Sequence, residues 1–316
     1  MPTPTPTPTS PQRVTLPANI TLFERGWLSS NNILIDSAEG SALIDSGYAT
    51  HSAQTLALLD DALDGENLDV LVNTHLHSDH CGGNTALQKA YPGMTTFIPP
   101  GLSEHVRTWD AQALTYTPTG QNCPQFGFDA VLVPDTEIRL GGMQWQIHAA
   151  PGHDPHSVVL FEPESRLLIS ADALWERGFG VVFPELEGED AFEAVGKTLD
   201  LIESLQPLIV IPGHGPAFSE VAPALVVARE RLANFVNNPA KHINYAAKVL
   251  VKFRLLEVQS VKLVTLTAWA QATPYFAMIF KTHFAGRDFP EWVESLVNDL
   301  VRANAATRDG LIIRNA

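Results

Sequence analysis

The chain is poor in cysteine, in basic residues and in long apolar runs, and each shortage excludes something. Two cysteines, Cys81 and Cys123, cannot build a disulfide framework. Met1–Gln12 has neither a basic start nor an apolar core, so it does not read as a secretory signal. Together these shortages make a reducing cytoplasm the expected location. No apolar run approaches the roughly 20 residues that a membrane-spanning helix needs, so no membrane association is expected. Lys and Arg total 20 against 35 Asp and Glu, which disfavours polyanionic substrates through long-range repulsion. No Ser-His-Asp or Cys-His arrangement for a side-chain nucleophile is evident.

What is present describes a folded chain of ordinary composition. At 316 residues, 45% apolar and 17% charged, it can form one large domain and a small one. Charge divides it unevenly. Residues 221–316 hold 12 Lys and Arg against 7 Asp and Glu, whereas residues 1–220 hold 8 against 28. The shift predicts a boundary near residue 220. Three parts are therefore expected: a disordered, polyproline-like Thr-Pro tail over 1–17, a catalytic domain over 18–220 and a mainly helical domain over 221–316.

The densest chemistry lies in Thr74-His75-Leu76-His77-Ser78-Asp79-His80. Three imidazoles and a carboxylate within six positions would repel or stay unpaired without a cation. The β-prone run Leu68–Val72 precedes them, and Gly82-Gly83-Asn84 reads as a turn into a helix. Pro-Gly-His recurs at 151–153 and 212–214, and Asp172 follows Leu167–Ile169. Taken singly, His153, His214 and Asp172 are unremarkable strand-end residues. Together with the cluster they make five His and two Asp at the ends of strand-like runs, where rigid sheets support sites. Seven ligands are too many for one tetrahedral ion and suit two. Imidazole and carboxylate suit zinc, and also iron or manganese. Cys81, beside His80, reads as a small buried side chain.

Periodicity predicts an α/β architecture. Strands are expected at 20–25, 32–36, 42–45, 68–72, 96–98, 130–133, 136–140, 143–149, 158–161, 167–170 and 208–211. Helices are expected at 52–63, 85–90 and 191–205. The aromatic stretch 101–130 reads either as a lid or substrate wall or as a packed flap. Trp175, Phe179 and Phe183 are expected to line an apolar wall near the metals. Beyond 221, helices are expected at 224–236, 244–257, from an N-cap at Thr267 to 272, 274–284 and 290–304. Thr307–Arg314, alternating about Asp309-Gly310, reads as a hairpin wing.

The motif at 74–80 with Gly82-Gly83-Asn84, followed in order by His153, Asp172 and His214, resembles the metallo-β-lactamase-fold hydrolase superfamily, most nearly its glyoxalase II-like branch. The resemblance covers roughly 18–220. It implies a four-layer αβ/βα sandwich with metals at one edge between two sheets. It further implies that His75, His77 and His153 hold one metal, that Asp79, His80 and His214 hold a second, and that Asp172 bridges them. His77 stands where the flavodiiron branch has Glu, which favours a zinc-type hydrolase. Trp175 stands where acyl-homoserine lactonases have Tyr, which counts against that substrate class. Some relatives end in a winged-helix module, and the hairpin wing is similar.

The expected function is metal-dependent hydrolysis of a small ester, thioester or lactone. A hydroxide bridging two divalent ions would attack, with zinc favoured over iron or manganese and Asp79 orienting the hydroxide or moving its proton. Two alternatives stay open. One is a mononuclear iron persulfide-dioxygenase-like oxidoreductase using His75, His153 and Asp172. The other is an endoribonuclease of the same fold, with the basic C-terminal part touching nucleic acid. That part is otherwise expected to pack, to dimerise and to wall the site.

Overall fold

Strand residues alternate between two apolar environments, and this alternation builds the layers. In Asn32–Ser37, Ile33 and Ile35 face one core while Leu34 faces another. Ala42 and Ile44 alternate in the same way with Leu43, and Val72 with Leu71. Residues 14–316 are described by the computed structural model, so most of the expected Thr-Pro tail lies outside the described residues.

The first sheet runs in chain order: β1 (Ile20–Phe23), β2 (Asn32–Ser37), β3 (Gly40–Ile44), β4 (Val70–Val72), β5 (Thr95–Ile98) and β6 (Ala130–Val131). The first three strands are antiparallel, and β3 to β6 pair in parallel. The second sheet contains β7 (Thr136–Leu140), β8 (Met143–Ala149), β9 (Val158–Glu162), β10 (Leu167–Ala171) and β11 (Ile209–Pro212), in the order β11-β10-β9-β8-β7. Here β10 and β11 are parallel and the rest antiparallel.

Between the sheets lie Ile33, Ile35, Ala42, Ile44 and Val72 from one side, and Trp145, Ile147, Leu160, Ile169 and Ile211 from the other. Helices Ser52–Leu63 and Asn84–Ala90 cover the outer face of the first sheet through Leu59, Leu63 and Leu87. Helices Phe192–Leu205 and Val221–Asn237 cover the second through Val195, Leu199, Leu225 and Ala228. This is the expected four-layer αβ/βα arrangement. The carboxyl ends of β3, β4, β8, β10 and β11 reach one common edge.

The chain after 237 forms a further helical layer. Pro239–Val258 packs with Leu263–Ala272, Pro274–His283 and Phe289–Arg302 about Leu250, Val251, Phe276, Trp292 and Val297. The expected hairpin about Asp309-Gly310 forms as β13 (Ala306–Asp309) and β14 (Ile312–Asn315). A strand not anticipated, β12 (Ser260–Lys262), joins β14 on its other side. That strand also corrects the helix start. Helix formation begins at Leu263, four residues before the expected cap, because β12 ends there. Thr267 lies inside the helix and its hydroxyl bonds back to Leu263 O.

Among the described residues no single helix is long and apolar enough to cross a membrane. Leu263–Ala272 and Pro274–His283 reach that composition only as a pair bent by 85°. Their apolar side chains Leu266, Ala270, Tyr275, Phe276 and Ile279 are occupied in the helical core.

The segment 101–130 is more ordered than its composition suggests. It contains helices Ser103–Thr108 and Tyr116–Thr119, and Val106, Leu114, Tyr116 and Phe126 pack with Leu76 and Cys81 of the histidine-rich loop. Its aromatics therefore serve as the packed flap. A buried histidine ties the layers behind the site. His242 Nε2 accepts from Val182 N–H at 3.2 Å, and burial first, then the Arg231 charge, lowers its pKa to about 4.

Because His242 binds a proton more readily in the unfolded chain, near pH 6.5, its contribution to stability is complete above that pH and declines as the pH falls toward 4. His242→Gln keeps an acceptor and removes the titration. Urea denaturation at pH 7 and 4.5, at equal metal loading, is expected to show the variant losing about 2 kcal/mol less than the parent on acidification.

Candidate metal centre

Each sequence-predicted site residue arrives at the shared sheet edge on a short loop. The helical turn Ser78–Cys81 follows β4 and carries Asp79 and His80, while His75 and His77 lie on the approach to it. His153 follows β8, Asp172 follows β10, and His214 follows β11. Backbone bonds knit the loops together: Val158 N–H donates to Thr74 O at 2.9 Å, and Gly180 N–H to Asp172 O at 2.9 Å.

All seven predicted residues converge. His75, His77 and His153 bring one donor atom each within 4.8 Å of one another, as do His75, His80 and Asp172, and as do Asp79, His80 and His214. Asp172 faces both ways. Its Oδ1 lies 3.6 Å from His80 Nε2 and 3.8 Å from His214 Nε2, and its Oδ2 lies 3.4 Å from His153 Nε2. Asp79 Oδ2 lies 3.2 Å from His214 Nε2 and 3.9 Å from His80 Nε2. His77 Nδ1 and His153 Nε2 are 2.8 Å apart.

The donor set fits a metal on two observations. The Nε2 atoms of His75 and His80 are buried without a hydrogen-bond partner, and both belong to the converging donor groups. Such atoms are costly unless something absent from the protein satisfies them. The rear atoms of three of the histidines, by contrast, are held. His80 Nδ1 lies 2.7 Å from Asp45 Oδ2, His153 Nδ1 donates to Val181 O at 2.5 Å, and His75 Nδ1 lies 3.2 Å from Thr74 Oγ1. Rear hydrogen bonds of this kind fix ligand tautomers and ring orientation.

Electrostatics agree. Burial, then the His80, His77 and His153 charges, pushes the His75 pKa well down. Burial brings His77 to about 4, and burial followed by His77 brings His153 to about 4. Those three imidazoles are neutral, the form that binds metals. Burial alone would raise Asp172, yet His214 and His80 hold its carboxyl well below the usual range. Asp79 is likewise lowered against burial, by His80 and His214. His80 is the exception. Burial opposes its charge, but Asp45, Asp172 and Asp79 raise its pKa well above the usual value. Three carboxylates around one ring call for a cation.

The sequence reading missed several residues that hold the cluster. Asp45, at the end of β3 with φ +59°, accepts from Thr74 N–H at 2.9 Å and Thr74 Oγ1 at 2.8 Å besides facing His80. A carboxylate ending a buried strand was the available signal. Asn31 donates to Pro212 O at 2.9 Å and Gly215 O at 2.7 Å, bracing His214. Trp27 stacks on His214 with centroids 5.2 Å apart and planes 11° from parallel. Gly213 leaves room for Asp172, because a Cβ there would lie 2.3 Å from Asp172 Oδ1.

Of the expected aromatic wall, Trp175 and Phe183 line the cavity at the site, and Trp175 Nε1 also donates to Asp172 Oδ1 at 3.1 Å. Phe179 instead packs in the core behind the second sheet, covered by Phe235 and Arg231. From the 101–130 segment the cavity receives Thr115, Thr119 and Gln121 rather than an aromatic. Cys81 is buried as expected, with its Sγ 3.8 Å from Cys123 Sγ.

Asp45→Asn keeps the shape and removes the charge behind His80. Chelator competition is expected to show divalent-cation affinity lowered about 10–100-fold, with the circular dichroism spectrum unchanged.

Comparison with known proteins places this geometry in a lineage. A hydroxyacylglutathione hydrolase of Anaeromyxobacter dehalogenans is 31% identical over 221 residues, 67% of this chain and 74% of that protein. An acyl-coenzyme A thioesterase of Bos taurus is 25% identical over 62% of this chain and 77% of its own length. A beta-lactamase-like protein 2 homolog of Drosophila melanogaster is 29% identical over 60% of each chain. The chain spans only 60% of the Drosophila relative, and 45% of a Brucella anthropi hydroxyacylglutathione hydrolase that it also matches. A metallo-beta-lactamase family protein from Thermus thermophilus shares the fold, with a TM-score of 0.58 at 17% identity over 96% of this chain and 100% of that one. The likeness of fold therefore extends through the C-terminal helices. The sequence profile of the metallo-beta-lactamase superfamily matches residues 25–214, the stretch that carries all seven converging residues, and the chain belongs to that superfamily.

Proposed function

We propose that the chain is a metal-dependent hydrolase that uses two divalent ions, zinc by preference, to cleave an acyl ester, thioester or lactone. The observation that carries this reading is the two-sided placement of Asp172, with Oδ1 toward His80 and His214 and Oδ2 toward His153. One carboxylate spanning two donor groups is what a pair of ions requires. His75, His77 and His153 would hold one ion, Asp79, His80 and His214 the other, with Asp172 between them. When bound, such ions lower the pKa of water to about 7 and polarise a carbonyl.

The chain's own residues supply the rest. Asp79 retains 14% side-chain exposure and lines the cavity, so its carboxylate can hold a water and accept its proton. The His80 and His214 contacts keep it ionised, which suits it to orienting that water. Trp175 holds Asp172 in register through its indole N–H. Relatives named as a hydroxyacylglutathione hydrolase and an acyl-coenzyme A thioesterase support an acyl carbonyl as the target.

The alternatives are less well supported. An oxygenase using His75, His153 and Asp172 alone leaves the orphaned His80 Nε2 and the Asp79–His80–His214 group without a purpose. A ribonuclease reading gains little from the charge: of the twelve Lys and Arg after residue 220, Arg229, Lys248, Arg254, Arg302, Arg308 and Arg314 each face a carboxylate.

Elemental mass spectrometry on protein purified without added metal is expected to give about two zinc or manganese per chain. Asp79→Asn is expected to lower kcat on acyl esters about 10²–10⁴-fold. One iron per chain with oxygen-dependent turnover would overturn the reading.

A further inference from the structure

Helix Pro239–Val258 is apolar on two faces. Ala246, Ala247, Leu250, Val251 and Leu255 are buried in the helical core. Tyr245, Val249, Phe253 and Leu256 recur at spacings of four, four and three, which makes a second stripe along the helix. That stripe is half-buried, and it borders a cavity that also touches His77, Asp79, His153, Asp172 and His214. The cavity holds about 150 Å³. A dry cavity of about that size accommodates a benzene ring.

The charge of this cavity is as informative as its shape. Outside the ligand cluster, Lys252 is the one cation among the described residues that line it. Its ammonium is already committed, donating to Ala305 O at 2.6 Å, Asn315 Oδ1 at 2.6 Å and Ala316 O at 2.9 Å. An ammonium has three N–H groups, so none is left for a ligand, and only the apolar stem borders the cavity. The carboxylates of glutathione and the phosphates of coenzyme A would find no free side-chain cation among the described residues that line this cavity.

We infer that the group recognised beside the scissile carbonyl is neutral and apolar, of benzoyl to hexanoyl size, and seated against Tyr245, Val249, Phe253 and Leu256. This rests on the hydrolase reading above and sets the chain apart from its relatives named for glutathione or coenzyme A thioesters. The bond cleaved is the acyl–oxygen bond of an ester. Water adds across it, releasing a carboxylic acid and a neutral alcohol or phenol.

The test uses the full chain loaded with zinc. With 4-nitrophenyl acetate, butyrate and hexanoate, kcat/KM is expected to rise about fourfold per methylene. The hexanoate ester is expected to exceed S-hexanoylglutathione and hexanoyl-coenzyme A by at least about tenfold. Val249→Arg places a charge in the stripe and is expected to reduce the hexanoate-to-acetate preference about tenfold. Equal or faster cleavage of either thioester, or no dependence on acyl length, overturns the inference and leaves the hydrolase reading standing. If no ester, thioester or lactone is cleaved, the hydrolase reading fails, and calorimetry with benzamide decides the pocket separately. Benzamide binding that Val249→Arg abolishes supports the apolar seat, and absence of binding to the parent protein overturns it.

Discussion

The structure depends on one constraint: two carboxylates and five imidazoles are held together where water is scarce. Carboxylates and unpartnered ring nitrogens in such a place are tolerated only if a positive charge sits among them. Asp45 intensifies the requirement, because it adds a third carboxylate to the surroundings of His80. The arrangement makes sense as a cation trap whose protein half is complete. The rear nitrogens of His75, His80 and His153 are bonded, while the front Nε2 atoms of His75 and His80 are free, which is the asymmetry a ligand shell needs.

A rigid frame is needed to hold that trap open, and the two sheets supply it. Five strand ends meet at one edge because β3 and β4 run parallel in one sheet, and β8, β10 and β11 share a direction in the other. The inter-sheet core, centred on the fully buried Trp145, fixes the distance between the two groups of loops. Local backbone yields where the chemistry demands it. Asp45 and Ala171 both adopt positive φ beside the cluster, at 59° and 46°. Gly213 spares the space that Asp172 occupies.

Much of this was legible in the amino-acid sequence. The seven converging residues stood out because four lie in one heptapeptide and the other three follow apolar runs. Apolar, β-prone runs bounded by turn residues predicted the strands, because such runs are what the two sheets bury. What stayed hidden was set by contacts distant along the chain. Asn31 braces the His214 loop through Pro212, 181 positions away in sequence, and no local pattern marks it. The start of the helix at Leu263 is set by pairing of Ser260–Lys262 with Ile312–Arg314, so a capping rule applied locally to Thr267 misplaced it. Phe179 looked like a wall residue because it is aromatic and near Asp172 in sequence. Its direction depended on Arg231 and Phe235, which the sequence does not bring near.

The two faces of helix Pro239–Val258 carry a consequence for how such a protein can change over time. The seven converging residues sit on loops of the sandwich, whereas the apolar stripe beside the cavity sits on a helix that supplies none of them. Tyr245, Val249, Phe253 and Leu256 border the cavity, while Ala246, Ala247, Leu250, Val251 and Leu255 anchor the helix in its core. A change along that stripe would alter the wall of the cavity and leave in place the loops that carry the seven residues.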